Sequence, residues 1–234
     1  MQNKFYVAAA MLVAASPAIS LAAGRYNPVI VPAEFSTTID NPFFTMPAGK
    51  RMYFKSQTGE GLETAEIIVT GKTRKIMGVD TLEYWDRVSR DGVLIEDTHD
   101  FIAQHKNGDV WYFGEAVDNY ENGKLKNHQG AWLAGEDNAL PGIWVKAKPV
   151  VGETYREEYY PGNAEDIAKV VSTSETVTTV MGTFSGCMKT RNWTPLEPDV
   201  KEEKFYCRET GGTALEVNVT DSERDELVRI EQGG

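Results

Sequence analysis

Runs of β-branched and aromatic residues, broken by glycine turn signals, confine this chain to a β fold. From Ala65 to Gln104 it reads AEIIVTGKTRKIMGVDTLEYWDRVSRDGVLIEDTHDFIAQ, with Gly71, Gly78 and Asp91-Gly92 as breaks. The stretch AKVVSTSETVTTVMGTFSGCMKTRNW, Ala168 to Trp193, repeats the style. Such segments suit a pleated, half-buried surface, and glycine supplies the positive φ that tight turns need. Long apolar stretches with a period of 3.6 residues are absent. A helical turn is predicted after Gly162, where Asn163 would cap AEDIAKV.

The pattern runs twice. PAGKRMYFKS begins at Pro47 and PVVGETYREEY at Pro149, and Met77-Gly78 and Met181-Gly182 then fall at matching places. The strands beyond them close with DVWYFG in one copy and EKFYCR in the other. This predicts two related β-meander halves, residues 40–114 and 149–234, separated by an insertion over 115–148. Within the insertion Asn122-Gly123 marks a hairpin, and Trp132 and Trp144 among several glycines predict an ordered flap. The expected fold is mainly β. A curved antiparallel sheet, a half-barrel or open barrel, forms a single domain over residues 23–234.

Between Glu96 and Glu115 the sequence EDTHDFIAQHKNGDVWYFGE crowds acids, histidines and aromatics into one hairpin. Read as a two-residue turn, Asn107-Gly108 sets Lys106 against Asp109, Gln104 against Trp111, Ile102 against Phe113 and Asp100 against Glu115. One face then carries Asp100, Ile102, Trp111, Phe113 and Glu115, and the other His99, Phe101, His105 and Tyr112. The two histidines stand about 20 Å apart along the strand, too far to share a metal ion. Asp100 and Glu115 are like charges about 5 Å apart at Cβ. They need a compensating arginine, cation or shared proton if they are not simply exposed. Arg87 or Arg156 as an ion-pair partner is the leading expectation, with an exposed pair and a functional pair as the others.

Lys4, the apolar run Tyr6 to Ala15 and small residues at Ser20, Ala22 and Ala23 have the form of a signal peptide over residues 1–22. No later segment reaches the apolar length of a membrane span, so no membrane insertion is expected. No cysteine follows the cleavage site as a lipidation acceptor, and a periplasmic or secreted location is expected. Cys187 and Cys207 are then most simply a disulfide. About 210 residues remain, enough for a real core. The formal charge of −11 loses the +1 of Lys4 and becomes −12. Such acidity argues against nucleic acid and anionic lipid as partners.

Motifs of known chemistry are missing. The chain has no G-x-S-x-G, H-E-x-x-H, P-loop or Rossmann fingerprint. YREEYYPGNAED, Tyr155 to Asp166, is a second dense cluster, with Glu165-Asp166 just past a Pro-Gly turn. Asp100, Glu115, Glu165 and Asp166 are candidate oxygen ligands for a divalent cation, which in the calcium case takes six or more. Trp111, Phe113, Trp132 and Trp144 are candidates to line a ligand pocket under the flap.

The combination of NPFF, EDTHDFIAQ, GDVWYFGE, PGIWV, GETYREEYYPGNAED and NWTPLEP resembles a group of secreted bacterial β-rich proteins across nearly the whole mature chain. The resemblance implies a compartment and a fold, and supplies no catalytic residues. More distantly, the repeated proline-glycine strand start is similar to secreted half-barrel proteins that bind lipids or lipoproteins. The expected function is a non-enzymatic secreted or periplasmic binding protein for a small apolar or amphipathic ligand. A calcium-like cation-binding protein and a hydrolase or lyase with a carboxylate acid–base pair are the alternatives.

Overall fold

The computed structural model describes residues 26–233, and the signal-peptide segment lies outside the described residues. The wall is built from β1 (Arg51–Thr58), β2 (Gly61–Ile76), β3 (Val79–Arg90), β4 (Val93–His105), β5 (Val110–Glu121), β6 (Leu140–Val145), β7 (Thr154–Arg156), β8 (Ile167–Thr179), β9 (Gly182–Thr194), β10 (Glu197–Cys207), β11 (Gly212–Asn218) and β12 (Arg224–Glu231). They form an antiparallel sheet in the order β7-β8-β9-β10-β11-β12-β1-β2-β3-β4-β5-β6. The short strand Glu158–Tyr159 then pairs with β6. Because that strand continues directly from β7, the segment 154–159 spans the two ends of the sheet. Gly142 permits the approach, since a Cβ there would collide with the carbonyl oxygens of Arg156 and Glu157. The result is a nearly closed barrel.

Two runs of six strands, β1 to β6 and β7 to β12, follow each other around the wall as meanders, and the first takes in β6 from the segment 115–148. The insertion is part of that wall. Beyond the β5 stretch that pairs with β6, Trp132–Leu133 and then Lys124–Asn127 continue along the same edge of β5. Segment 164–170, expected as a helical turn, runs instead into β8, because Ala168 and Val170 alternate inward against β9. TPLEPDV forms a short turn at Pro195-Leu196, and β10 resumes at Glu197.

Alternation decides which side chains enter the barrel. Met52, Phe54 and Ser56 of β1, and Ala65, Ile67 and Val69 of β2, are buried inward, while Lys55 is exposed outside. One end is stoppered by residues 39–46. Ile39, Phe43, Phe44 and Met46 are buried there, and the Phe44 ring meets those of Tyr84 and Trp144. Asn41 holds the stopper down by donating to the carbonyls of Gly108 and Val145. The buried Lys50 ammonium donates to the carbonyls of Thr45, Thr210 and Gly211, tying the stopper to the β10–β11 turn.

A second, smaller core lies under Val177, Phe205 and Leu215. The Cys187–Cys207 disulfide sits inside it and links the first half of β9 to the end of β10, as expected from the sequence.

The turn at Asn107-Gly108 departs from expectation. Gly108 alone has a positive φ, and its N–H donates to His105 while His105 N–H donates to Asp109. This is a type I turn followed by a glycine bulge, not the mirror-image two-residue turn. It sets Gln104 opposite Val110 and Ile102 opposite Tyr112, one residue off the predicted register. A second bulge at Phe113-Gly114 then restores Asp100 opposite Glu115.

Candidate ligand site in the barrel lumen

The two bulges sort the hairpin's side chains. Between them, Tyr112 turns into the lumen, while Trp111 and Phe113 turn outward against Phe35 of the N-terminal segment. Phe101, His99 and His105 share that outer side. His99 stacks on Trp85 at 5.3 Å, and His105 lies 3.0 Å from Glu34. Trp144 reaches the lumen and touches Tyr84 and Tyr112; Trp132 packs its ring on Tyr112. Of the four aromatics singled out in the sequence, the structure thus gathers Trp132 and Trp144 around Tyr112 and sends the other two to the outer face.

The lumen is unusually acidic. Asp100 (6% exposed) and Glu115 (2%) face each other across β4 and β5, and Tyr112 donates its hydroxyl to Asp100. Glu115 Oε2 has no hydrogen-bonding partner. Neither expected arginine reaches the pair. Arg87 lies on the outer face with Asp97, and Arg156 sits near Glu165. The cation whose field reaches Asp100 is Lys204 of β10, itself 3.7 Å from Glu216 and 3.9 Å from Glu202. Burial pushes Asp100 up to about 7, against the opposing pull of Tyr112 and Lys204. Burial and the nearby Asp100 raise Glu115 well above the usual carboxylate range.

Glu157, Glu158 and Asp166 extend the acid lining. Burial raises Glu157 to about 7 and Asp166 to about 6, with Lys204 opposing both, and lifts Glu158 well above its ordinary value. Asn192 donates to Glu157. Glu165, the fourth candidate cation ligand, turns away and accepts from the Gly162 N–H. Among the described residues no three acidic, histidine or cysteine side chains are gathered as a metal-ligand set.

Below the stopper lies a cavity of about 60 Å³. Phe54, Tyr84, Trp144 and Tyr206 supply aromatic wall, and Asp86, Glu96, Asp100, Glu216 and Asp225 supply carboxyls around Lys204. Asp86 Oδ1, Glu96 Oε2 and the Tyr206 hydroxyl are buried there without hydrogen-bonding partners. Burial first, and the neighbouring acids second, raise Asp86 and Glu96 well above the usual range. Of the lining carboxyls, sequence reasoning singles out Asp100 alone. A signal for Lys204 is present in EEKFYC, where Glu202, Lys204 and Tyr206 alternate onto the face that the meander buries.

No protein-family model and no curated protein matches the chain. Among solved structures it is similar to a lipoprotein candidate from Parabacteroides distasonis. The two are 12% identical with a TM-score of 0.43, and the match covers 81% of this chain and 98% of the other.

Proposed function

We propose that this chain is a secreted or periplasmic binding protein that holds a small amphipathic ligand in the barrel lumen, under the stopper. The observation that carries this reading is the cavity itself, which is aromatic where it meets the stopper and polar beyond, with buried acceptors left unpaired. Buried polar atoms without partners are costly, on the order of 1–3 kcal/mol each, and a ligand or ordered water that meets them removes that cost. The disulfide fits an oxidising compartment. On the measure where one water needs about 10–15 Å³, the cavity has room for roughly four to six non-hydrogen atoms. That size suits a small metabolite better than a lipid chain.

The test is native mass spectrometry of the mature protein purified from its own host, with Thr98→Phe as the cavity-filling control. An organic adduct on the native protein that is missing from the folded variant supports the reading. A clean protein mass, together with no binding from a library of small amphiphiles, sinks it.

A further inference from the structure

Five carboxyls and one ammonium line the cavity. Lys204 balances at most one carboxylate, and it already lies near Glu202 and Glu216. Asp86 and Glu96 are 8% and 4% exposed, and each leaves one oxygen unpaired. An anion entering this space meets carboxyls on every side. A neutral guest leaves their charge uncompensated or their protons in place. Tyr84 and Trp144 wall the stoppered end, with Phe44 over them, and aromatic faces attract organic cations. A hard metal ion fits less well, because it takes six to eight oxygens at short range and no three ligands are so gathered among the described residues.

We infer that the lumen selects a small organic cation, an alkylammonium whose charged head sits between Asp86 and Glu96 and whose apolar body lies against Tyr84 and Trp144. This rests on the lumenal-binding reading and names its ligand class. The charged groups facing the head are Asp86 from β3, Glu96 and Asp100 from β4, Lys204 from β10, Glu216 from β11 and Asp225 from β12. Burial raises the carboxyls of the first three above their ordinary range. Entry of the cation stabilises their ionised forms, so binding releases protons to solvent.

Calorimetric titration of the full mature protein with three probes of matched size, n-butylammonium, n-butanol and propionate, tests the inference. The ammonium is expected to bind at least tenfold more tightly than the alcohol, with propionate not binding. Its apparent heat should change between buffers of different ionisation enthalpy. Glu96→Gln, and independently Asp86→Asn, should each lower ammonium affinity tenfold or more, a larger factor than either changes alcohol affinity; retention of the disulfide and of the cooperative melt verifies each fold. Alcohol or propionate binding as tightly as the ammonium overturns the charge selectivity and leaves lumenal binding standing. Calcium displacing the ammonium at lower concentration overturns it in favour of a metal ion. Binding by none of the probes overturns both readings.

Discussion

Asp100 and Glu115 face each other across neighbouring strands with both carboxyls buried, and the Tyr112 hydroxyl bonds to Asp100 while Glu115 Oε2 goes without a partner. Two like-charged groups in one dry site cannot both ionise cheaply, so the barrel keeps protons that the unfolded chain would have lost.

That arrangement fixes a direction of pH dependence. The folded-state values of Asp100, Glu157 and Asp166, about 7, 7 and 6, stand above their ordinary values. Between those ordinary values, about 4, and the folded values the native chain therefore binds more protons than the unfolded chain, and stability falls as pH rises through that window. Urea unfolding is expected to give a higher midpoint at pH 5 than at pH 7.5. Asp100→Asn should remove up to roughly 3 kcal/mol of that decline. A midpoint that rises toward neutral pH would contradict the buried, proton-loaded acids.

Lys204 supplies the opposite charge. Its ammonium is buried near Glu202 and Glu216, and its field opposes burial at Asp100, Glu157 and Asp166. Lys204→Met leaves those acids without their cation, a change of about 3–5 kcal/mol for a broken buried pair. The loss should be largest near pH 7.5 and shrink at pH 5, where the acids take up protons. Denaturation curves of the variant at both pH values check this; an equal loss at both would mean that Lys204 acts mainly by packing.

The strand pattern, the meander and the disulfide are legible in the sequence because each follows from local signals: alternation, glycine turns and a lone cysteine pair. The Asp100–Glu115 pair is also legible, but through a register that fails between them and is restored only by the bulge at Phe113-Gly114. That bulge is written by contact with Trp132 and Leu133, residues distant in sequence, so an unbulged register puts Trp111 and Phe113 on the wrong side of the sheet. Asn163 has the look of a helix cap because AEDIAKV carries acids after a turn. Pairing of β8 with β9 and β7 overrides that preference. The reach of Lys204 to Asp100, Glu157 and Asp166 escapes a sequence reading because those acids stand far from it in the chain, and only the curvature of the barrel brings them near.

Gly114 should be intolerant of any side chain. Its φ is +129°, and an added Cβ would collide with the Trp132 carbonyl oxygen and lie 2.8 Å from Leu133 Cα. Both obstacles are backbone and cannot rotate away. Gly114→Ala is expected to destabilise by more than about 2 kcal/mol and to loosen Trp132 from Tyr112. Gly92 also has a positive φ, but a Cβ added there would meet open space, so Gly92→Ala should lose only about 1 kcal/mol. Thermal melts of the two variants side by side, with tryptophan fluorescence, separate steric exclusion from simple backbone preference.

The disulfide closes a loop of 20 residues in sequence separation and sits in the smaller core with Val177, Phe205 and Leu215. Loop-closure entropy for that length corresponds to about 3 kcal/mol. The paired strands β9 and β10 already fix the geometry in the folded state, so most of the effect comes from restricting the unfolded chain. Cys187→Ala with Cys207→Ala should therefore lower the urea midpoint while leaving ligand binding in the lumen intact, because the second core lies apart from the residues that line the cavity. A double variant that keeps its stability but loses binding would show instead that the β9–β10 hairpin shapes the lumen through the bond.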